Sequence, residues 1–132
     1  MPLELDQSIE DLAYRVIGCA IEVHRVIGPG YLESVYENAL AVELTHQDIS
    51  FERQMPIDME YKGVNVGQGR VDLLVAGTII LELKAVEQYA PIHQAQVISY
   101  LKATGLQLGF LINFNTEVLK DGIRRIVLSS RS

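Results

Sequence analysis

The sequence predicts an α+β (α/β) fold with a central mixed β-sheet flanked by helices, and three observations lead there. Apolar residues recur at helical spacing over the first 47 positions. From residue 50 the period changes to two, and the strand-like runs VDLLV and TIILELK follow. A third helical stretch, 90–104, then separates these runs from two last ones, LGFLINF and GIRRIVL. No repeat, low-complexity tract or linker marks a second domain, so residues 1–132 read as a single unit.

The first helix is expected at about 8–26, where Ile9, Leu12, Ala13, Val16, Ile17, Ala20, Val23 and Ile27 form one stripe. Ser8 with Asp11 three residues on is a weak capping box. Gly28, Pro29 and Gly30 end the helix, because a residue before proline resists the helical region and glycine tolerates positive φ. Leu32, Val35, Tyr36, Ala39, Leu40 and Leu44 mark a second helix ending near His46 and Gln47. Phe51, Arg53, Met55, Ile57, Met59 and Tyr61 then alternate with polar residues as a half-buried strand. Lys62 and Gly63 suit a turn, and Gly67 and Gly69 loosen the stretch before VDLLV. Ala76 and Gly77 join VDLLV to TIILELK as adjacent antiparallel strands. Pro91 starts the third helix and Gly105 caps it. That helix is a crossover long enough to bring the fourth strand in parallel. The final SSRS is expected to fray.

Composition bounds the function. Eleven basic against 17 acidic side chains give a formal charge of −6, with 48% hydrophobic and 21% charged residues. Disorder across most of the chain is excluded, and a chain of this length buries about two thirds of its unfolded surface without a disulfide or structural metal. A single cysteine, Cys19, rules out an internal bridge and leaves no Cys/His cluster for zinc. The start MPLELDQSIEDL lacks the basic region and apolar core of a secretory signal. The apolar stretch 16–27 is too short and too charged to cross a bilayer. A cytoplasmic protein without membrane association is the expectation. The acidic balance argues against holding nucleic acid by bulk electrostatics, though not against an enzyme that touches it briefly.

Charges inside apolar strands need a reason, and Asp72, Glu82 and Lys84 are such charges. Glu82 and Lys84 share a sheet face about 6.6 Å apart, with Leu81 and Leu83 on the other. Hard divalent cations prefer carboxylate and carbonyl oxygens, so Asp72 and Glu82 suit Mg²⁺ or Mn²⁺, with Lys84 polarising a water beside it. That is hydrolytic phosphodiester chemistry. The register decides whether such a site exists. If Ala76 and Gly77 made a two-residue turn, opposed residues would sum to 153 and Asp72 would lie on the other face from Glu82. A shared face needs an even sum such as 154, hence an odd-length loop or a bulge, and that irregularity is the expectation. The competing reading is an edge hairpin whose charges face solvent. On spacing alone the second reading stands first.

With Gly30, Glu33 and Tyr36 at GxxExxY spacing in GPGYLESVY, and with VDLLVAGTIILELK, the chain resembles the GxxExxY proteins of the PD-(D/E)XK nuclease superfamily over nearly its whole length. The resemblance implies a nuclease-like core in which a helix supplies Glu33, one strand supplies Asp72 and the next supplies Glu82 and Lys84. Val71 stands where the superfamily's name puts proline. Gln96 and Tyr100 have the QxxxY spacing of RecB-like exonucleases and share an arc of roughly 60° with His93. The resemblance implies that they position the lysine or the nucleic-acid backbone. Otherwise they are a solvated glutamine and a half-buried tyrosine.

Three carboxylates meeting around Lys84 would have raised pKa values unless a cation sat among them, so convergence would itself imply a metal. Glu33 otherwise reads as a first-turn carboxylate stabilised by the helix dipole, and Tyr36 as core packing. His24 reads as a satisfied core histidine, with a metal-ligand role as the family-based alternative, and Cys19 as buried packing. The Gly28–Gly30 segment reads as a turn, and Arg124 and Arg125 as side chains on opposite faces of a strand.

The implied activity is Mg²⁺- or Mn²⁺-dependent hydrolysis of nucleic acid, DNA before RNA. Asp72, Glu82 and the Leu83 carbonyl would serve as ligands, and Glu33 would join directly or through water. A homo-oligomer or protein partner would help to grip the polymer. The alternatives are a catalytically silent binding or assembly module and a domain for a small phosphorylated molecule. Asp72 and Glu82 on opposite sides of their hairpin, or Glu33 turned out to bulk water, would reduce the hydrolase reading to a generic folded module.

Overall fold

A computed structural model describes residues 5–128; the SSRS tail lies outside them. The elements are α1 (Gln7–Ile27), α2 (Glu33–His46), β1 (Phe51–Tyr61), β2 (Val64–Val75), β3 (Ile79–Lys84), α3 (Pro91–Thr104), β4 (Leu108–Asn113), a 3₁₀ turn (Leu119–Gly122) and β5 (Ile123–Val127). They form one mixed sheet in the order β1-β2-β3-β4-β5. All neighbours run antiparallel except β3 and β4, which the α3 crossover makes parallel. None of the described helices is long and apolar enough to cross a membrane.

Two cores sandwich the sheet. On one face α1 and α2 pack Val16, Ala20, Tyr36, Leu40 and Leu44 against Leu73, Ile79, Leu81, Leu83, Phe110 and Ile112. On the other, α3 packs Val97, Tyr100 and Leu101 against Val71, Leu74, Ile80 and Leu111. Both faces of β3 and β4 are thus covered, which is why these strands read as nearly unbroken apolar runs.

The N-terminal cap of α1 differs from the expected Ser8–Asp11 box. Asp6 is the cap, its carboxylate accepting the Ser8 N–H at 3.1 Å, while Asp11 accepts from the Gln7 side chain. The α1–α2 turn is fixed from behind by Tyr36, whose hydroxyl donates to the Gly28 carbonyl at 2.7 Å and accepts the Tyr31 N–H. Its ring stacks on Phe114 with centroids 4.5 Å apart, so core packing and turn anchoring are its work.

Strand β1 departs from the single alternation its sequence suggests. Phe51 joins the α1/α2 core, whereas Met55, Ile57 and Met59 join the α3 core, and Arg53 pairs with Glu37 of α2. The switch falls at Gln54, whose φ of 52° lies in the left-handed region and rolls the strand over. Strand β2 also starts earlier than VDLLV, at Val64, and carries Gly67 and Gly69 within it. A Cβ on Gly69 would lie 2.5 Å from the Tyr100 ring, so the glycine lets α3 close onto the strand. Lys62 and Gly63, both at positive φ, make the two-residue β1–β2 turn.

The β2–β3 hairpin carries the irregularity that the register argument requires. Ala76 and Gly77 take φ of 51° and 62°, and the Thr78 N–H closes the turn on the Val75 carbonyl at 2.9 Å. Thr78 is the extra residue: Val75 faces Ile79, Leu74 faces Ile80 and Leu73 faces Leu81, a sum of 154. The pairing then stops. Beyond Leu73 the β1–β2 ribbon leaves the sheet as a two-stranded arm, and the gap between that arm and β3 is where the polar residues gather.

Candidate active site

Asp72 is the first β2 residue past the last paired position, and Glu82 stands opposite it on β3. The ladder bonds lost in the gap are replaced by side chains. The Asp72 N–H donates to Glu82 Oε1 at 3.0 Å, and the Leu83 N–H donates to Asp72 Oδ2 at 2.8 Å. Hydrogen bonds to a charged acceptor are stronger than neutral ones, so the splayed strands stay clasped. The clasp fixes one oxygen of each carboxylate, and the other oxygen of Asp72, Oδ1, accepts from Gln54 Nε2 at 3.4 Å.

Burial makes this arrangement electrostatically demanding. Glu82 is only 2% exposed, and burial first, with the Asp72 charge second, pushes its carboxyl up to about 8. The Asp72 N–H and Lys84 oppose that shift. Asp72 is raised as well, by burial first and then by Glu37, while the Leu83 N–H, Lys84 and Gln54 pull it down. Two coupled carboxylates against one ammonium therefore favour the uptake of positive charge, either a proton or a cation.

Lys84 is half-buried and held from α3. Its Nζ donates to Gln96 Oε1 at 3.4 Å, Gln96 Nε2 donates to the Tyr100 hydroxyl at 3.3 Å, and that hydroxyl accepts the Arg70 N–H at 3.2 Å. Lys84, Gln96 and Tyr100, with Ile92, His93 and Ser99, line an open depression of about 580 Å³. His93 caps α3 instead of reaching Lys84: its Nδ1 accepts the Ala90 N–H at 3.2 Å. The loop leaving Lys84 is held by the buried Asn113, which accepts the Val86 N–H and donates to the Val86 carbonyl.

Glu33 does not meet the other carboxylates. It begins α2, is exposed, and makes no hydrogen bond or ion pair among the described residues. The expected pocket of three carboxylates around Lys84 is not formed, and among the described residues no three His, Cys, Asp or Glu side chains gather as a metal-ligating cluster. The difference is one of position along α2, not of helix face. Glu37, one turn further on the same stripe, occupies the ground beside the strands, its Oε2 3.0 Å from Arg53 Nε and its Oε1 2.6 Å from Gln54 Nε2. Glu37 is also the α2 carboxylate whose charge Asp72 feels.

Two residues here went unread in the sequence, Glu37 and Gln54. Arg53, a charge on the apolar face of its strand, was the available signal, since it needed an acidic partner on a neighbouring helix. Of the remaining candidates, His24 is satisfied through Nε2 by the Thr116 carbonyl at 2.7 Å, and Cys19 is buried. Arg124 lies over the Tyr89 ring while Arg125 pairs with Glu10 of α1, so the two do take opposite faces.

The donor set fits a hard divalent cation. Asp72 and Glu82 are two carboxylates sharing one buried site, each accepting a single backbone N–H, with no thiolate or imidazole among them.

Comparison with curated proteins and with solved structures returned no match. The model of the PD-(D/E)XK nuclease superfamily matches residues 10–126, a span holding every residue of the clasp and of the α3 brace. The chain belongs to the PD-(D/E)XK nuclease superfamily.

Proposed function

We propose that the protein is a divalent-metal-dependent nuclease that hydrolyses phosphodiester bonds of nucleic acid, DNA in preference to RNA. The observation that carries this reading is the reciprocal clasp of Asp72 and Glu82 beside Lys84. Asp72, Glu82 and the Leu83 carbonyl would hold Mg²⁺ or Mn²⁺. When bound, such an ion polarises the phosphate and lowers the pKa of a coordinated water.

The rest falls to the chain's own groups. The Lys84 ammonium orients the attacking water and stabilises charge building on the phosphate oxygens. Gln96 holds the ammonium in place through its amide oxygen, and Tyr100 holds Gln96 while fixing the arm at Arg70. A homo-oligomer or a basic partner would help a chain of charge −6 to grip a polyanion.

The exposed position of Glu33 favours a second reading, a catalytically silent module that keeps the fold and acts through a protein partner. Cleavage of end-labelled single- and double-stranded DNA and RNA by the purified protein separates the two. The nuclease cuts DNA with Mg²⁺ or Mn²⁺, stops with EDTA, and loses activity in Glu82→Ala. A wild-type protein that cuts no nucleic acid under any of these conditions, or one indifferent to EDTA and to the substitution, overturns the reading.

A further inference from the structure

Four non-glycine residues among those described take positive φ: Asp48, Gln54, Lys62 and Ala76. Lys62 and Ala76 sit in hairpin turns, and Asp48 follows the end of α2. Gln54 alone lies inside a strand, between the pairs Arg53↔Leu73 and Met55↔Val71. An L-residue is disfavoured there, and the same roll of the strand would come at lower strain from glycine. A glutamine at this position therefore has a use for its side chain.

The hydrogen bonds show what that use can be. The Gln54 amide nitrogen lies 2.6 Å from Glu37 Oε1 and 3.4 Å from Asp72 Oδ1, so its two hydrogens reach two carboxylates that would otherwise repel each other. The Leu83 N–H fixes Asp72 Oδ2, which leaves Oδ1 as the oxygen whose direction Gln54 controls.

We infer that Gln54 is a positioning residue for Asp72: its amide bridges Glu37 and Asp72 and keeps Oδ1 aimed at the shared site opposite Glu82. This rests on the metal-dependent reading above and adds a residue of β1 that the superfamily motifs do not contain. The left-handed backbone and the amide are separable contributions, the first available to glycine, the second only to glutamine.

Gln54→Gly and Gln54→Asn separate them. Asparagine tolerates the left-handed region, but its shorter side chain cannot span both carboxylates. Thermal unfolding is followed in EDTA, and Mn²⁺ binding to the protein alone is followed by calorimetry. Gln54→Gly is expected to unfold at or above the wild-type temperature while binding Mn²⁺ about 10–100-fold more weakly, the loss of one orienting partner outside the ligand shell. Gln54→Asn should weaken Mn²⁺ binding to a similar degree. A residue that only shapes the strand would leave the affinity unchanged, and wild-type affinity in Gln54→Gly overturns the inference while leaving the metal reading intact. Should wild-type protein bind no Mn²⁺, the metal reading falls and this inference falls with it.

Discussion

Asp72 and Glu82 face each other across β2 and β3, and each carboxylate accepts a backbone N–H from the opposite strand, at 3.0 and 2.8 Å. Two acidic side chains thereby do the work of the missing ladder bonds at the point where the strands part. The cost is that they share a buried site, with Glu82 pushed up to about 8. Such a pair is stable when it is partly protonated or when it holds a cation, and the first two predictions follow from that choice.

Without metal, Glu82 should destabilise the fold at alkaline pH. Its ordinary value is 4.5 and its folded value about 8, so between these the folded state binds the extra proton. Stability then falls as pH rises through that window and levels off above it. Glu82→Gln removes the buried charge and keeps an acceptor for the Asp72 N–H. In EDTA at pH 8.5 it should be more stable than wild type by about 2–4 kcal/mol, with little difference at pH 4. Urea titrations at the two pH values measure this, and a variant less stable than wild type at pH 8.5 would refute it.

Metal affinity should run the other way with pH. A cation needs Glu82 ionised, so binding releases a proton, and Mn²⁺ affinity should climb up to about tenfold per pH unit below about 8 and flatten above it. Calorimetric titrations in buffers of different ionisation enthalpy would count the released proton. A pH-independent affinity between 6 and 8 contradicts the assignment of Glu82.

The α3 brace depends on a close approach to Gly69. With Ala at that position the new Cβ would meet Tyr100 Cε1 at 2.5 Å, against a ring buried in the α3 core. Gly69→Ala should cost about 1–3 kcal/mol of stability by overpacking. Tyr100→Phe keeps the ring but drops the bonds to Gln96 and to the Arg70 N–H, and should cost about 1 kcal/mol. If Lys84 is positioned through Gln96, Tyr100→Phe also lowers kcat at unchanged Mn²⁺ affinity. Equal kcat in the two proteins would remove Tyr100 from the brace.

Thr78 is the third residue of the loop that leaves Asp72 opposite Glu82. Deleting it leaves a two-residue Ala76–Gly77 turn in which Val75 still faces Ile79 and Asp72 still faces Glu82, so the clasp should survive. The deletion protein should fold and bind Mn²⁺ with close to wild-type affinity. Circular dichroism and calorimetric titration test this, and a folded deletion protein that binds no Mn²⁺ would show that Thr78 itself shapes the site.

Much of this architecture was legible in the residues. The helices, the order of elements along the chain and the parallel entry of the fourth strand follow from periodicity and from the length of the α3 crossover, and the parity of opposed residues required the irregular hairpin. The roll of β1 was not legible, because a left-handed Gln54 leaves no mark in an alternating pattern. The local period stays at two while the buried face changes. Glu33 illustrates a related limit. Motif spacing places a glutamate on α2 but not which turn of that helix meets the sheet, and it is the turn after Glu33 that brings Glu37 beside Arg53 and Gln54. Charges such as Asp72, Glu82 and Lys84 were visible because each lies in a run otherwise apolar, whereas Glu37 lies among ordinary helix-surface residues.

Anomalous scattering from crystals soaked in Mn²⁺ tests the central claim most directly. A peak bounded by the carboxylates of Asp72 and Glu82, and lost in Glu82→Ala, is the predicted result. Ordered carboxylates with no manganese between them at millimolar concentration, or a peak that survives Glu82→Ala, would contradict it.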